Sequence, residues 1–429
     1  MTTTRIPGSP TRPVRPAVRK PTPAASAPQE AHGAVVSVRR IFEAQNSNYF
    51  LLLGATLFLV VFGLVMVLSS SSIDSYKHND GDAFTLFLKQ VVFAAIGLPL
   101  MLVASRLPAV FWKKWAVALM AVAVGLQLLV FTPLGITTQG NTNWVNIAGV
   151  SVQPSELVKL ALIVWIALVL SRKEDLLTDW RHVVLPVVPV ALLAIALVLG
   201  GNDLGTAAVM LAIVLGCLFF AGVRLRYLLV AALGVALVAY VYSATGASRA
   251  SRIGSWLDGC TDVNVLNCWQ PVHGTWALAA GGVFGVGLGN SKSKWSWLPA
   301  AENDYIFAIV GEELGLIGAI VVLLMFIVLA FAFVRIVRAT HDSFTRIVAS
   351  GVMIWVIGQA MVNIAVVLGL LPVLGVPLPL ISAGGSALIS TMLAIGVVLS
   401  LSRQPKVAED FVPQTPAQRS RLAAAGRSR

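Results

Sequence analysis

The sequence predicts an all-α membrane protein that crosses the bilayer many times. Its 429 residues are 57% hydrophobic and only 12% charged, a balance that no soluble globular domain needs. Apolar runs of about 18 residues or more recur along the chain, long enough to cross the hydrocarbon core as helices. Basic residues are concentrated in every second connection between these runs, which is typical of a polytopic protein.

Ten membrane-spanning helices are expected in a membrane domain of residues 48–403. They lie near residues 48–69, 85–105, 114–132, 155–171, 183–200, 204–222, 227–245, 304–334, 347–371 and 384–402. The connection between the seventh and eighth helices, residues 246–303, is much longer than the others. We expect it to be one large loop.

The distribution of basic residues predicts the orientation. The basic connections contain Arg106, Lys113 and Lys114, then Arg172, Lys173 and Arg181, then Arg224 and Arg226, then Arg335, Arg338 and Arg346. Because basic connections remain on the cytoplasmic side, both termini are predicted to be cytoplasmic and the long loop extracytoplasmic. The loop breaks the rule with four bases, Arg249, Arg252, Lys292 and Lys294. They either bind an anionic substrate or balance the acids of the same loop.

The two tails carry most of the net charge. Residues 1–47 and 403–429 hold nine of the twelve net positive charges. Residues 1–47 are also rich in proline and are predicted to be disordered, either as a solvated tail or as a docking segment. Residues 404–429 form a second basic tail. Basic tails beside membrane helices indicate cytoplasmic retention and contact with anionic lipids, which argues against a nucleic-acid partner.

The long loop contains two cysteines, Cys260 and Cys268. In an oxidising compartment they are predicted to form a disulfide that closes a small loop. His273 lies nearby, but the irregular spacing of the three side chains argues against a metal site. Cys217 lies within a span and is interpreted as a packing residue.

Asp304 lies where the polar loop meets the eighth apolar run. On an ideal helix Asp304, Ala308, Gly311, Gly315 and Gly318 share one face, which would form a groove that admits another helix or a lipid chain. The carboxylate is either a functional acid or the N-terminal cap of the helix.

Other charged side chains lie within or beside the spans. Glu312 and Glu313 are about 12 Å deeper than Asp304 at about 1.5 Å rise per residue, where they would face a cavity or bond to a neighbouring helix. Glu156 and Lys159 are three residues apart and are predicted to pair as a structural clamp, with a polar cavity as the alternative. Asp203 begins a helix and is interpreted as a cap rather than a functional acid.

Two loops have features of anion-binding segments. Residues 281–292 are rich in glycine and end at Lys292, so their backbone N–H groups could cradle a phosphate, although a flexible loop is the favoured reading. Residues 377–386 combine proline, glycine and Ser382 before the last span. They predict a re-entrant or broken segment whose helix N-terminus could attract an anion.

These motifs, in this order, resemble the SEDS proteins of bacteria (shape, elongation, division and sporulation). The resemblance covers about residues 48–403 and is closest to the division branch. It is carried by the segments 153–159, 203–205, 287–292 and 303–315 and by the closing signature, which comprises Asn363, Gly369, Leu370, Pro372, Gly375 and residues 382–387. Three features depart from the common pattern: Asn143 stands where many members have arginine, Gly201 and Asn202 where many have Gln-Pro, and the cysteine pair is not general.

The resemblance implies a peptidoglycan glycosyltransferase of the cytoplasmic membrane, acting at the division septum in cell-wall biogenesis. Its substrate would be lipid II, a disaccharide-pentapeptide on undecaprenyl pyrophosphate. The essential aspartate of the family's loop corresponds to Asp304, which would be the catalytic base. A class B penicillin-binding protein, a transpeptidase, would be its partner, together with other division proteins.

Cations and polar groups of the motifs above are the candidates for substrate binding. Arg252, Lys292 or Lys294 would hold the pyrophosphate, and a divalent cation could share that task. The further substrate-binding candidates are Gln270, Glu156, Lys159, Asp203, Glu312, Glu313 and Ser382. Two alternatives fit the same composition: a transporter that flips lipid II, and a non-enzymatic scaffold for cell division.

Overall fold

The computed structural model describes residue 2 and residues 47–403, except 80, 139–140, 148, 178, 235–246 and 261–266. The predictions made for the two tails, and for the second half of the seventh span, fall outside this part of the chain.

Thirteen α-helices and three strands make up the part that the structure describes. The helices are α1 Ser47–His78, α2 Thr85–Ala104, α3 Ala109–Leu128, α4 Pro154–Ser171, α5 Trp180–Gly200, α6 Leu204–Phe220, α7 Leu225–Gly234, α8 Ala247–Leu257, α9 Trp269–Gly281, α10 Ile306–Ala339, α11 Ser343–Met353, α12 Gln359–Val367 and α13 Gly385–Ser402. The strands are β1 Gly135–Thr138, β2 Asn141–Ile147 and β3 Val150–Val152. A π-helical segment, Ile354–Gly358, joins α11 to α12.

The prediction of a helical, multi-pass membrane protein is confirmed. Within the described residues, eight helical segments are long and apolar enough to cross a bilayer, counting α11, the π-helical segment and α12 as one. Helices α6 and α7 are shorter, at Leu204–Phe220 and Leu225–Gly234. The predicted total of ten spans therefore stays a prediction, since residues 235–246 are not described.

The helices divide into an inner and an outer group. In the apolar window of α4, 78% of residues are buried in protein, and in that of α13, 72%; the value for α2 is only 22%. A helix that is apolar on all sides and buried belongs to the centre of a large bundle. Helix α4, the α11–α12 segment and α13 therefore form the centre, while α2, α3 and α5 present apolar side chains outward.

The connection before α4 contains an antiparallel sheet that the all-α prediction missed. Its strand order is β1-β2-β3, with Ile136 opposite Trp144 and Val145 opposite Val152. Gln153 follows the sheet directly, and Pro154 occupies the first turn of α4, where its missing N–H costs nothing. The sheet thus fixes the point at which α4 begins.

The predicted straight helix over 304–334 is interrupted. Helix α10 begins at Ile306, and inside it Gly315 adopts φ 68° and ψ −165°, a conformation that glycine tolerates and other residues do not. A Cβ on Gly315 would lie 2.4 Å from the backbone N of Gly285. The kink therefore exists where the glycine-rich loop crosses the helix at close range.

The small residues of α10 form a groove that the protein's own chain fills. Leu278 of α9 packs on Gly311, since a Cβ on Gly311 would lie 2.4 Å from its Cδ2. A Cβ on Gly281 would lie 1.9 Å from the Gly311 carbonyl oxygen. Of the two occupants considered from the sequence, a helix and a lipid chain, the structure shows a helix.

Candidate active site

Asp304 lies just outside the first turn of α10, where three segments of the chain converge. Tyr305, not Asp304, is the cap residue of α10, and no side chain caps that helix. Among the described residues, no hydrogen bond reaches the Asp304 carboxylate. Gly375 leaves space beside it, since a Cβ at that position would lie 3.6 Å from Oδ2. The half-buried carboxylate is therefore not a helix cap, and its oxygens are available to a substrate.

The surroundings of Asp304 favour its protonated form. Burial, followed by the like charges of Asp203 and Glu302, raises the pKa of Asp304 to about 7. Burial also raises the pKa of Asp203 and of Glu302. A carboxyl with a pKa near neutrality is suited to general acid–base chemistry, because it exchanges protons at the pH at which it works.

The backbone of the Asp304 segment is held by three successive carbonyl contacts. The N–H of Ala383 donates to the Glu302 carbonyl at 2.9 Å, and the Ser382 hydroxyl donates to the Asn303 carbonyl at 2.6 Å. The Nδ2 of Asn363 donates to the Asp304 carbonyl at 2.7 Å and to the Val376 carbonyl at 2.8 Å. We call these three donors the backbone clamp; they fix the position from which the Asp304 side chain projects.

Ser382 belongs to this clamp rather than to an open anion site. Its hydroxyl also accepts a hydrogen bond from the N–H of Leu378 at 2.8 Å, and the side chain is buried. The segment before α13 is irregular, as predicted, but its serine is used internally. These contacts give Ser382 a positioning role. The substrate contact that the sequence suggested for Ser382 stays a prediction.

A second polar cluster joins α4 to the α11–α12 segment. The Nζ of Lys159 lies 2.8 Å from Oε1 of Glu156, donates to Oε1 of Gln359 at 3.0 Å and sits over the ring of Trp355. Both charged side chains are almost fully buried. The predicted clamp between Glu156 and Lys159 is confirmed as a contact, and it leaves neither charge exposed to a ligand.

Asp203 caps α6, as the sequence suggested. Its Oδ1 accepts from the backbone N–H of Thr206 at 2.8 Å, and its Oδ2 accepts from Nε2 of Gln153 at 3.3 Å. Asp203 is thus a structural group that also raises the pKa of Asp304 by its charge.

The two glutamates of α10 bind the glycine-rich loop. Glu312 accepts from the Ser291 hydroxyl at 2.6 Å and from the Lys292 N–H at 2.9 Å. Glu313 accepts from the Ser69 hydroxyl at 2.6 Å and pairs with the ammonium of Lys294 at 3.2 Å. At the end of the glycine-rich run, the N–H groups of Ser291 and Lys292 donate to internal carboxylates, so these two are not free for a phosphate.

Lys294 is fully engaged in this contact. Its ammonium donates to the Gly289 carbonyl at 2.6 Å and to the Ser69 hydroxyl at 3.3 Å, besides the pair with Glu313. An ammonium has three N–H groups, and all three are used here. These contacts give Lys294 a structural role, as they do for Glu312 and Glu313. The pyrophosphate role of Lys294 and the substrate contacts of the two glutamates stay predictions.

Two predicted cations remain accessible. Lys292 is exposed, and Arg252 is half-buried at the wall of a cavity of about 500 Å³ between α8, the start of α9 and residues 369–373. Gln270 uses its Nε2 to hold the Pro299 carbonyl at 2.9 Å, so that it supports the loop. Among the described residues there is no cluster of three His, Cys, Asp or Glu side chains arranged to hold a metal ion.

Cys260 and Cys268 form the predicted disulfide, with their Cα atoms 5.2 Å apart. The Nδ1 of His273 lies 2.7 Å from the Trp269 carbonyl oxygen, and the imidazole ring stacks on Trp269. Cys217 is free and buried, as expected of a packing residue.

Sequence reasoning gave no individual role to Asn363 and Gln359. Both are amides in an otherwise apolar run, and a polar residue inside a span is a signal of an internal contact. That signal was available. What the sequence could not show is that the partners are backbone carbonyls of Asp304 and Pro377.

The fold and site define a helical multi-pass membrane protein with a half-buried carboxylate, that of Asp304, at the end of its bundle. Residues 50–407 match the profile of the family described as "Cell cycle protein", which groups FtsW, RodA and SpoVE. The match spans most of the chain. The protein therefore belongs to this family, which confirms the resemblance seen in the sequence.

Its relatives include proteins of several bacterial lineages. A "Probable peptidoglycan glycosyltransferase FtsW" of Mycobacterium tuberculosis is 38% identical over 83% of this chain and 68% of its own length. One of the same name from Geobacter sp. is 40% identical over 80% of this chain and 94% of its own. The "Stage V sporulation protein E" of Bacillus subtilis is 36% identical over 84% and 98%.

Solved structures have the same fold. A chain of a structure titled "Structural coordination of polymerization and crosslinking by a peptidoglycan synthase complex" superposes with a TM-score of 0.68 at 25% identity, covering 82% of this chain and 96% of that one. The rod-shape-determining protein RodA of Thermus thermophilus superposes with a TM-score of 0.61 at 26% identity, covering 82% and 96%.

Proposed function

We propose that the protein is a peptidoglycan glycosyltransferase that polymerises lipid II at the outer face of the cytoplasmic membrane during septal wall synthesis. The names of its relatives support the reaction class. The observation that carries the proposal in this chain is the Asp304 carboxylate at the end of the bundle. It receives no hydrogen bond among the described residues, and its pKa is raised to about 7. The placement of basic connections supports an orientation with both termini in the cytoplasm.

The reaction needs a base more than it needs an acid. A sugar hydroxyl of the acceptor attacks the anomeric carbon of the donor, a C–O bond forms, and the bond from that carbon to the pyrophosphate oxygen breaks. Asp304 takes the hydroxyl proton. Undecaprenyl pyrophosphate leaves as an anion, so the protonated carboxyl that a glycosidase supplies to its leaving group is not required here.

Cations stabilise the charge that develops on the leaving pyrophosphate. Lys292, which is exposed, and Arg252, which is half-buried, are the two predicted cations not engaged in an internal ion pair in the described structure. A divalent cation bound with the substrate would add to their effect. The other predicted polar residues maintain the site: the clamp of Ser382, the pair Glu156–Lys159 and the contacts of Glu312 and Glu313 with the loop.

The partner is proposed to be a class B penicillin-binding protein that crosslinks the new strand. This rests on the likeness to a chain from a structure whose title describes polymerisation and crosslinking within one synthase complex. Other division proteins and anionic lipids are proposed to contact the basic tails.

The test is polymerisation of labelled lipid II by the purified protein with its transpeptidase partner. Asp304→Asn is expected to yield no glycan chains while still binding lipid II and the partner. Undiminished polymer from that variant would remove Asp304 from the mechanism. Absence of polymer from the wild type, combined with transfer of labelled lipid across liposome membranes, would instead identify a flippase.

A further inference from the structure

The cavity beside Arg252 is separate from the Asp304 carboxylate but adjacent to it. It has a volume of about 500 Å³. Its wall includes Val373, and Gly375, two residues later, lies beside Asp304. Two residues span at most about 7 Å of extended chain, so the cavity is a short distance from the reacting centre.

A second path connects the same two places. Thr275 lines the cavity, and its neighbour Gly274 is packed against Tyr305, since a Cβ at Gly274 would lie 2.6 Å from the Tyr305 ring. Tyr305 directly follows Asp304 in the chain. The cavity therefore borders the catalytic segment through α9 as well as through residues 373–375.

The lining of the cavity suits a carbohydrate. Two tryptophans contribute to it: Trp276, which is 56% exposed, and Trp256, which is half-buried with its Nε1 donating to the Gly369 carbonyl at 3.0 Å. Sugar rings present apolar C–H faces that pack on aromatic rings, and hydroxyl edges that bond to planar polar groups. Asn267 supplies such a group at the wall.

The walls of the cavity are fixed before a ligand arrives. The bond from Trp256 to Gly369 ties α8 to the end of α12, and the disulfide ties Cys260 at the rim to Cys268 at the start of α9. A volume of about 500 Å³ lies within the range of about 300–1,000 Å³ found for ligand sites, and prearranged walls reduce the ordering cost of binding.

We propose that this cavity is a saccharide subsite that holds the growing glycan strand next to the reacting sugar. The inference rests on the proposed polymerase function and extends it. Both substrates carry a pyrophosphate-linked disaccharide to the centre, but only the strand has further sugar units beyond it. A subsite for those units slows dissociation of the strand between additions, and so sets the length of the product.

Trp276→Ala is the variant that tests the subsite. The side chain is largely exposed, so its loss is not expected to disturb folding. Trp295→Ala is the matched control, because Trp295 is a similarly exposed tryptophan (58%) of the same loop that does not line the cavity. Trp276→Phe keeps an aromatic face and should restore most of the effect.

The first readout is glycan strand length at equal lipid II consumption. We expect Trp276→Ala to shorten the strands by about three- to tenfold, since losing one aromatic contact mainly raises the dissociation rate. Strands as long as those of the wild type would overturn the proposal. So would shortening that appears equally in Trp295→Ala.

The second readout is binding of peptide-free glycan oligosaccharides to the purified protein, followed by tryptophan fluorescence. The wild type and Trp295→Ala should bind them, and Trp276→Ala should bind at least about threefold more weakly. This measurement needs no catalysis, so it decides the subsite even if the wild type makes no polymer. Absence of oligosaccharide binding, or loss only of the transpeptidase complex in Trp276→Ala, would show that the cavity is not a saccharide site.

Discussion

At the scale of single residues, Asp304 differs from the other predicted acids because its carboxylate makes no hydrogen bond or ion pair among the described residues. The other predicted acids are engaged: Asp203 caps α6, Glu156 pairs with Lys159, and Glu312 and Glu313 bind the loop. Asp304 has no such partner among the described residues. Its pKa is raised by burial and then by the like charges of Asp203 and Glu302. A carboxylate held in this way is a poor structural group and a good base.

The sequence identified Asp304 but could not separate its two possible roles. A carboxylate at the start of a helix is a cap in most proteins. Asp304 would be the cap residue only if the helix began one residue earlier than it does. Helix α10 begins at Ile306 with Tyr305 as its cap residue, which leaves the carboxylate outside the first turn. The family resemblance, not the local pattern, favoured the catalytic role.

The pair of Glu156 and Lys159 gives a prediction of stability at this scale. Lys159→Met should lower the free energy of unfolding by about 3–5 kcal/mol, because the Glu156 carboxylate would remain buried without its counterion. Thermal unfolding in detergent measures this. The double variant Glu156→Leu/Lys159→Met should recover much of the loss; if it is less stable than Lys159→Met alone, burial of an unpaired charge is not the cause.

At the scale of elements, the structure departs from the sequence where chain segments approach each other closely. The apolar runs located most of the long helices closely, because length and hydropathy are local properties. Helix α1 is the exception, since it continues to His78 where the prediction ended at residue 69. The kink at Gly315 depends on the loop that crosses it at Gly285 and has no local signature. The sheet of β1, β2 and β3 was not predicted. Val145, Val150 and Val152 are β-branched, but the strands that contain them are short and give a weak signal in the sequence.

The crossing of the loop over α10 gives a prediction for glycine substitutions. Gly285→Ala should destabilise the loop strongly, because φ is 80° and a Cβ would lie 2.1 Å from the Glu313 carbonyl oxygen. Gly289→Ala is the control: it has nearly the same φ, 83°, but no atom within 4 Å, so it should cost only about 1–2 kcal/mol. Limited proteolysis of the loop compares the two, and equal cleavage rates would contradict a close crossing.

The backbone clamp predicts a separation of catalysis from binding. Asn363→Asp removes the two N–H donations to the Asp304 and Val376 carbonyls at almost unchanged volume. We expect kcat for polymerisation to fall at least tenfold with lipid II binding retained, because the carboxylate loses its position rather than its chemistry. A fall confined to KM would show that Asn363 acts on substrate binding instead.

At the scale of the whole molecule, the composition predicted a multi-pass membrane protein, and the placement of basic residues predicted its orientation. Basic connections alternate along the chain, and the exception is the loop that contains the disulfide and leads to Asp304. If the loop is extracytoplasmic, its cysteines are oxidised in the compartment that favours disulfides. The orientation, the disulfide and the proposed substrate would then all place this loop on the outer side of the membrane.

Labelling of intact cells checks this orientation. A membrane-impermeant reductant followed by an impermeant thiol reagent should label Cys260 and Cys268. A cysteine introduced by Ser428→Cys in the basic tail should react only after the membrane is permeabilised, because the tail is predicted to be cytoplasmic. Labelling of the tail in intact cells would reverse the topology.

The most direct test of the account is the dependence of lipid II polymerisation on pH, compared between the wild type and Asp203→Asn. Asp304 acts as a base only when deprotonated, and its pKa is raised to about 7, so kcat/KM should rise with pH through about 7. Asn still caps α6 but carries no charge, so the variant should lose one cause of the raised pKa, and its rise should occur at lower pH. A profile that is flat over about two pH units on each side of neutrality would contradict Asp304 as the base. A rise that does not move in the variant would remove Asp203 as a cause of the raised pKa.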